Sequence, residues 1–197
     1  DLTENYILDV KVDDIEYGQN ATIRVLVPVL SGNVTINVDG KIIETVNVTN
    51  GTATLDVSGL AGGVHFVNVT YNGNEAFAPK DKNGTNFTVK PTTDWKMNIT
   101  MTEPAIYGEN TTIFISGLPD SAKNVTLRID NINYTVNVTA GKANLTLNNL
   151  SVGVHPAFAI YEGDANYSYK EQIFRPHIIK ATPTITIDVP DAVDANA

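Results

Sequence analysis

The sequence reads Tyr17-Gly18-Gln19-Asn20-Ala21-Thr22-Ile23 and, ninety residues later, reads Tyr107-Gly108-Glu109-Asn110-Thr111-Thr112-Ile113. The same offset joins Gly51-x-x-x-Leu55 to Gly141-x-x-x-Leu145, Leu60-x-x-Gly63-Val64-His65 to Leu150-x-x-Gly153-Val154-His155, and Tyr71-x-Gly73-Asn74 to Tyr161-x-Gly163-Asp164. The matched positions hold glycines, apolar residues and turn-forming polar residues, which a fold requires but a chemical reaction does not. A chain that repeats itself at a fixed period is typical of a tandem array.

Apolar residues alternate with polar ones in short runs, as in Ile23, Val25 and Val27. This period of two is typical of antiparallel strands with one buried face. Turn-forming pairs separate the runs at Asp39-Gly40, Asn50-Gly51, Gly62-Gly63, Asn72-Gly73 and Asn83-Gly84. In the first repeat the pattern predicts strands near 6–13, 21–27, 33–39, 42–48, 52–57, 64–71 and 84–90. The predicted fold is all-β, with immunoglobulin-like (Ig-like) β-sandwiches of about seven strands in tandem.

The repeat divides the chain into parts of the size of one β-sandwich. We expect one module over residues 1–91 and a second over residues 92–180. The remaining segment, 181–197, contains Thr184-Ile185-Thr186-Ile187-Asp188-Val189, which has the alternation of an opening strand. We expect this segment to be the first strand of a further module, within a longer array, or a strand donated to a neighbouring subunit.

Composition excludes several classes of protein. The net charge is −9, and the chain has no basic stripe of the kind that nucleic-acid backbones bind. The same acidity argues against adhesion to an anionic membrane surface. Because the chain contains no cysteine, it has neither a disulfide scaffold nor a cysteine-based zinc site. No apolar run is long enough for a membrane span, and Asp1-Leu2-Thr3-Glu4 is unlike a signal peptide.

Asparagine is the second strong feature of the sequence. Asn is depleted in strands, so an outward strand face rich in Asn and Thr requires another cause, and we predict N-glycosylation of several sites on an exported protein. An alternative is that the Asn and Thr content reflects the composition of the genome. The acceptor sequons, Asn-x-Ser/Thr without proline, begin at 15 of the 22 asparagines: Asn20, Asn33, Asn47, Asn50, Asn68, Asn83, Asn86, Asn98, Asn110, Asn124, Asn133, Asn137, Asn144, Asn149 and Asn166.

Two stretches carry a family resemblance: Tyr71-Asn72-Gly73-Asn74-Glu75-Ala76-Phe77 and Tyr161-Glu162-Gly163-Asp164-Ala165-Asn166-Tyr167. Together with the Tyr-Gly-x-Asn-x-Thr-Ile openings, they resemble prokaryotic Ig-like repeats in the large adhesin-like surface proteins of methanogenic archaea and in related bacterial proteins. The resemblance covers nearly the whole chain. It implies tandem β-sandwiches that act as a spacer or adhesive stalk at the cell surface, and it supplies no catalytic residues.

Several aromatic and imidazole side chains have a structural and a functional interpretation. His65, His155 and His177 have no evident catalytic partner in the sequence, so we interpret them as structural. The equivalent pairs Tyr17 with Tyr107 and Tyr71 with Tyr161 are predicted to be core or corner residues. Trp95, the single tryptophan, is predicted to pack in the contact between modules; if exposed, it could stack on a sugar.

Charged residues give weaker signals. The carboxylates Asp13, Asp14 and Glu16, with Asp94 and Glu103, could bind calcium near a module junction, although no regular ligand spacing appears and a solvated acidic face is the simpler interpretation. An intramolecular Lys–Asn isopeptide bond would need a buried lysine beside an acid. The candidates for it are Lys11, Lys90 and Lys96.

The sequence therefore predicts a structural or adhesive repeat region, a stalk or filament, of a glycosylated extracellular protein. We expect no enzyme, no catalytic residue, no metal ligand and no cofactor, because no nucleophile–base pair, metal cluster or phosphate loop is present. The expected partners are neighbouring modules of the same or identical chains and surface glycans or proteins. The alternatives are a filament subunit assembled by strand donation from 181–197 and a module that binds glycan or protein.

Overall fold

The fold consists of β-strands throughout the described part of the chain. The computed structural model describes residues 1–29 and 31–191, and it contains no helix in those residues. Within those two ranges, nothing helical is therefore long and apolar enough to cross a membrane. The strands form several mainly antiparallel sheets, and the predicted all-β, Ig-like class is confirmed.

The first repeat contains eight strands in two sheets. The strands are β1 (Asp9–Lys11), β2 (Ile15–Glu16), β3 (Ala21–Leu26), β4 (Asn33–Val38), β5 (Ile42–Asn47), β6 (Thr52–Val57), β7 (Gly63–Tyr71) and β8 (Lys80–Lys90). One sheet has the order β1-β3-β6 and the other the order β2-β8-β7-β4-β5. All neighbours are antiparallel except β2 and β8, which pair in parallel, with Ile15 opposite Val89.

The core of the first repeat consists of the residues that the alternation places on one face. Ile23 and Val25 of β3 and Val34 and Ile36 of β4 are fully buried, while Thr22 and Arg24 between them are exposed. Burial of these aliphatic side chains supplies the main stabilising free energy of a chain without disulfides.

The second repeat contains ten shorter strands: β9 (Asn98–Met101), β10 (Ala105–Ile106), β11 (Thr111–Ser116), β12 (Asn124–Ile129), β13 (Ile132–Asn137), β14 (Ala143–Leu147), β15 (Gly153–Val154), β16 (Ala157–Tyr161), β17 (Lys170–Phe174) and β18 (His177–Ile179). They form sheets of order β14-β11-β9, β13-β12-β16-β17 and β10-β18-β15. The larger sheet of the first repeat thus corresponds to two sheets here.

Prolines account for that division. Pro156 lies between β15 and β16, where the first repeat has Phe66 inside the unbroken β7, and Pro176 lies between β17 and β18. Proline has no N–H group to donate to a neighbouring strand, so the ladder is interrupted at each of these positions.

The predicted strands agree closely with β3 to β7 and differ at both ends of the first repeat. The predicted strand 6–13 is shortened to β1 (Asp9–Lys11), because the chain leaves the β3 edge after Lys11 and pairs with β8 from Ile15, beyond the predicted range. The predicted strand 84–90 begins at Lys80, since Asn83-Gly84 is not a turn between strands. It lies inside β8, at an irregularity in the pairing with β7 between Val67 and Val69.

The described residues group into two compact units. Unit 1 comprises Asp1–Lys96 together with Tyr161–Lys170, and unit 2 comprises Met97–Ile160 with the chain from Glu171 onward. In the C-terminal segment, residues 181–191 are exposed and belong to no strand, so the predicted opening strand does not pair within the described chain. The rest of that predicted segment, 192–197, lies outside the described residues.

Candidate functional site

The first recurring polar site is a histidine held between two acceptors. Asp39 begins the turn after β4 with a φ of 55°, and its Oδ2 lies 2.6 Å from Nδ1 of His65 in β7. On the other side of the ring, Nε2 lies 2.7 Å from the backbone oxygen of Ala61. A carboxylate and a carbonyl both accept hydrogen bonds, so this geometry favours the imidazolium form, with an N–H on each nitrogen.

The second repeat contains the same arrangement. His155 Nδ1 lies 2.5 Å from Asp130 Oδ2, and His155 Nε2 lies 2.7 Å from the oxygen of Ser151. Both ring nitrogens of each histidine are already occupied, so neither ring has a free nitrogen to act as a general base. We call these two sites the histidine clamps: His65 with Asp39 and Ala61, and His155 with Asp130 and Ser151.

The surroundings of both clamps shift their protonation. Burial of the His65 ring lowers its pKa, but the hydrogen bonds to Ala61 and Asp39 outweigh that effect and the pKa is raised. The pKa of His155 is raised by the equivalent bonds to Ser151 and Asp130 against the same opposing effect of burial. For Asp39, burial acts to raise the pKa, and hydrogen bonds from the Phe66 amide and from His65 lower it overall.

A loop of the second repeat carries the next site, inside unit 1. The backbone of Thr92 donates to the oxygen of Asn166 at 2.8 Å, and Ser168 donates to the oxygen of Thr92 at 3.0 Å. The first repeat has the same pair of bonds, from Thr3 to Ala76 and from Ala78 to Thr3, at 2.8 and 3.0 Å. In both repeats, therefore, the loop before the last long strand holds the segment that leads into the first strand. We call this pair of bonds the loop clip.

The second-repeat loop also approaches a glycine closely. The backbone N–H of Gly62 donates to Oδ1 of Asn166 at 2.7 Å. A Cβ atom at Gly62 would lie 1.7 Å from the backbone oxygen of Ala165, so no side chain fits there. Next to this contact the rings of Tyr17 and Tyr167 meet edge to face, with centroids 5.4 Å apart.

Trp95 does not lie where we predicted. Its ring packs edge to face on Tyr161 and Tyr167, its indole N–H donates to Ser168, and the ammonium of Lys170 lies over its face. All of these partners lie within residues 92–180, the predicted extent of the second repeat. These contacts of Trp95 are therefore within one repeat and not between modules. It takes the place of Tyr6 in the first repeat, and a large ring at this position fills the same corner.

The tyrosine predictions are correct for three of the four residues. Tyr71 is fully buried and donates to the oxygen of Ser31 at 2.8 Å, and Tyr161 is buried and donates to Asp164 at 2.6 Å. Tyr17 is half-buried against Tyr167. Tyr107 was predicted to be a core or corner residue, but it is 54% exposed, because the described residues place no ring against it as Tyr167 lies against Tyr17.

The sequon asparagines lie mostly at the surface. Of the 15 predicted acceptors, 13 are exposed, and only Asn33 and Asn166 are half-buried. Those two are also engaged, since Asn33 accepts from the side chain of Asn72 and Asn166 accepts from Gly62. Occupancy by glycan remains a prediction at every site, and the geometry makes Asn33 and Asn166 the least accessible acceptors.

Two pairs of sequons lie directly across neighbouring strands. Asn33 faces Asn47 in the β4–β5 pair, and Asn124 faces Asn137 in the β12–β13 pair. Side chains directly opposite in an antiparallel pair have Cβ atoms about 5 Å apart. Each repeat therefore presents two acceptor sites side by side at the start of the same hairpin.

The charged candidates are dispersed. Asp14 accepts from the backbone of Thr88 at 2.7 Å, while Asp13, Asp94 and Glu103 are exposed and Glu16 is half-buried. Residues 1–29 and 31–191 contain no cluster of three or more acids or histidines suited to a metal ion. Lys11, Lys90 and Lys96 are all exposed, and therefore lack the burial that an isopeptide bond requires; His177 is exposed as well.

Unit 2 has an open cleft. Two adjoining cavities of about 490 and 480 Å³ share the side chains of Met101, Glu103 and Arg175. Their size is within the range of small-ligand sites, and their walls combine a thioether, a carboxylate and a guanidinium. Sequence reasoning did not single out this cleft, because its residues come from four short strands and the loops between them, which no motif links.

Known proteins give a limited comparison. No curated protein sequence matches the chain significantly. The fibronectin(III)-like modules of Clostridium thermocellum CbhA resemble it in structure at 14% sequence identity and a TM-score of 0.37, over 93% of this chain and 100% of theirs. Residues 9–90 match the family model of the bacterial Ig-like domain (group 3), so the first repeat is an Ig-like repeat module.

Proposed function

We propose that the chain is part of an extracellular repeat region, a stalk or filament, of a glycosylated cell-surface protein. The observation that carries the proposal is the exposure of 13 of the 15 sequon asparagines over both repeats. Large hydrophilic glycans need acceptors at the surface. The coarser role, a structural or adhesive repeat, is consistent with the Ig-like module.

The conserved contacts of the two repeats support a mechanical role. What recurs is the histidine clamp and the loop clip, both of which join distant segments of one repeat. Each links a turn or a linker to a long strand. In a chain without cysteine, links of this kind between distant segments are noncovalent.

We further propose that the chain catalyses no reaction and that its partners are neighbouring modules and surface glycans or proteins. The motifs of both repeats resemble those of adhesin-like surface proteins of methanogenic archaea, which supports a place at the cell surface. Glycans on the exposed strands would also cover edges such as β5, which otherwise invite pairing with another chain.

Surface exposure on intact cells tests this proposal. We expect an antibody against the folded chain to label unpermeabilised cells, and mild proteolysis of those cells to release fragments. Labelling that requires permeabilisation would contradict the proposal. A cytoplasmic protein of known location serves as the control for cell integrity.

Strand donation is a second candidate function. Ile185, Ile187 and Val189 are about 80% exposed (82%, 79% and 80%), which leaves an alternating apolar face for another subunit. The first-strand positions are already filled by β1 and β9, so a donated strand would have to add to a sheet edge. A molecular mass in solution that rises with protein concentration would support this alternative, provided that the rise is absent in the double variant Ile185→Asp, Ile187→Asp.

A further inference from the structure

The C-terminal segment contains a third copy of the clipped threonine. Thr3 and Thr92 occupy equivalent positions, and each is held by two backbone hydrogen bonds from a loop. Ninety residues after Thr92 stands Thr182, which is exposed and has no such loop within the described residues. A loop that holds Thr182 as the loops of the two repeats hold Thr3 and Thr92 would therefore have to belong to another repeat.

The residues after Thr182 agree with this register. Tyr6 and Leu8 are buried as the approach to β1, and Met97 is buried as the approach to β9. The equivalent positions in the C-terminal segment are Ile185 and Ile187, which are 82% and 79% exposed. They have the apolar character of a buried opening strand but lack the sheets that would cover it.

An apolar surface lies where that loop must arrive. Tyr107 donates its backbone N–H to the oxygen of Ile179 at 2.9 Å, and the pairing of Gly153 with Ile178 places Val152 opposite Ile179. Tyr107 directly follows β10 and Val152 directly precedes β15, so both lie next to the end of β18 at Ile179, where Ile106 is the paired residue of β10. Tyr107, Ile179 and Val152 are 54%, 40% and 45% exposed. We call this group the Tyr107 platform.

Two of the three equivalent residues of the first repeat, Tyr17 and Gly62, contact a loop, while the third, Lys90, is exposed. Tyr17 donates to Lys90 as Tyr107 donates to Ile179, and Gly62 stands in the place of Val152. Inside unit 1, Tyr17 packs on Tyr167 and Gly62 bonds Asn166, both from the loop that clips Thr92. Thr182 follows Ile179 by three residues, which span at most about 11 Å, so a loop that clips Thr182 also reaches the platform.

We propose that the Tyr107 platform and Thr182 together form the docking site for the corresponding loop of a further Ig-like repeat in the same chain, whose first strand is 184–189. This inference rests on the proposed repeat-array function and names the partner of one surface in it. The bond at Gly62 is not reproduced, because Val152 has the Cβ that Gly62 must lack. The contact at Val152 is therefore an apolar one, and the loop stands further from the backbone there.

The test compares the 197-residue chain with a three-repeat chain, in which residues 1–181 are followed by a second copy of residues 92–180. In that added copy the equivalent of Tyr107 is changed to phenylalanine, so that Tyr107 itself is the one tyrosine measured at this position. Hydroxyl-radical footprinting reports the solvent access of each tyrosine, and Tyr17 is the internal reference in both chains. We expect the oxidation rate of Tyr107 to fall several-fold in the three-repeat chain, to the rate of Tyr17. The added copy carries a second tryptophan besides Trp95, so a change of tryptophan fluorescence on unfolding that is larger than in the 197-residue chain shows that the copy is folded.

Two variants sharpen the test. In the three-repeat chain, Thr182→Pro removes the N–H that makes the clip, and we expect it to restore the oxidation of Tyr107, whereas the exposed control Asn144→Asp leaves Tyr107 protected. An oxidation rate of Tyr107 unchanged by a folded third repeat would overturn the proposal. Protection that already appears in the 197-residue chain and grows with concentration would overturn it in favour of pairing between copies. Failure of cell-surface labelling, by contrast, would overturn the proposed function without altering these rates.

Discussion

His65 Nδ1 lies 2.6 Å from Asp39 Oδ2, and 26 residues of chain separate the two. The contact joins the first turn of the larger sheet to its central strand, while Nε2 of the same ring holds the turn that precedes β7. Since the second repeat makes the same contact with His155 and Asp130, the clamp belongs to the repeat unit and not to one ligand site.

The histidine clamps predict a pH dependence of stability. The folded pKa values of His65 and His155 are raised above the ordinary value of 6.5. Their contribution to the free energy of unfolding is therefore fully present below pH 6.5 and is lost as the pH rises through the folded values. The pKa of Asp39 is lowered from 3.8, so its contribution is present above that pH and is lost as the pH falls through the folded value.

Denaturant titrations from pH 4 to pH 9 measure this dependence, and the clamps place the most stable range between about 4 and 6.5. We expect the double variant His65→Gln, His155→Gln to be less stable at pH 6 and to show a flatter profile above it. His177→Gln is the matched control, because His177 is exposed. Equal slopes for the double variant and the unaltered chain would show that the clamps do not carry the effect.

Gly62→Ala tests the close approach of the 161–170 loop. The added Cβ would lie 1.7 Å from the oxygen of Ala165, so the loop must move and lose its bond to Gly62. We expect a loss of about 1–3 kcal/mol in stability, as for overpacked sites, with faster amide exchange at residues 165–168. Gly62 does not have a left-handed φ, so this loss reports the clash; Gly59→Ala, at a φ of 71° and with no atom within 4 Å of the added Cβ, measures the separate cost of backbone strain. Unchanged exchange at 165–168 would contradict the contact.

Asn166 is predicted to act through its hydrogen bond and not as a glycan acceptor. Asn166→Ala removes the partner of the Gly62 N–H, and we expect a loss of about 1 kcal/mol. Ser168→Ala destroys the same sequon but keeps the amide of Asn166, so it separates the two roles. Asn144→Ala, at an exposed strand position, should stay within about 0.5 kcal/mol of the unaltered chain. Equal effects of Asn166→Ala and Asn144→Ala would leave Asn166 without a structural role.

The repeats, the strand class and the cores could be predicted because they depend on local alternation and on a constant offset. The burial of Ile23, Val25, Val34 and Ile36 follows directly from the period of two. The exposure of the sequon asparagines in strands could be predicted for the same reason, since outward positions alternate with core positions.

The clamp partners could not be found in that way. Asp39 and Asp130 are 91 residues apart instead of ninety, since the turn after β4 has one residue more than the turn after β12 and the preceding loop one fewer. A constant offset of ninety residues therefore does not pair them. The predicted strand start at Asn83-Gly84 is wrong for another reason. A turn-forming pair also suits a bulge inside a strand, and here Gly84 has a φ of 84° and donates its N–H to Asn68.

Trp95 shows a third limit. Its identity is unique in the chain, which suggested a unique role, yet it occupies the corner that Tyr6 fills in the first repeat. Packing selects for ring size and for one hydrogen-bonding group, and both Tyr and Trp provide these. A comparison of residue identities between repeats therefore understates how far their structures agree.

The most direct test of the central claim, a glycosylated surface repeat, is glycopeptide mass spectrometry on the protein isolated from the cells that produce it. We predict sugar on several of the 13 exposed sequons, with Asn166 bare and Asn33 bare or less occupied than Asn47. A protein whose mass equals that of its bare polypeptide would contradict the account.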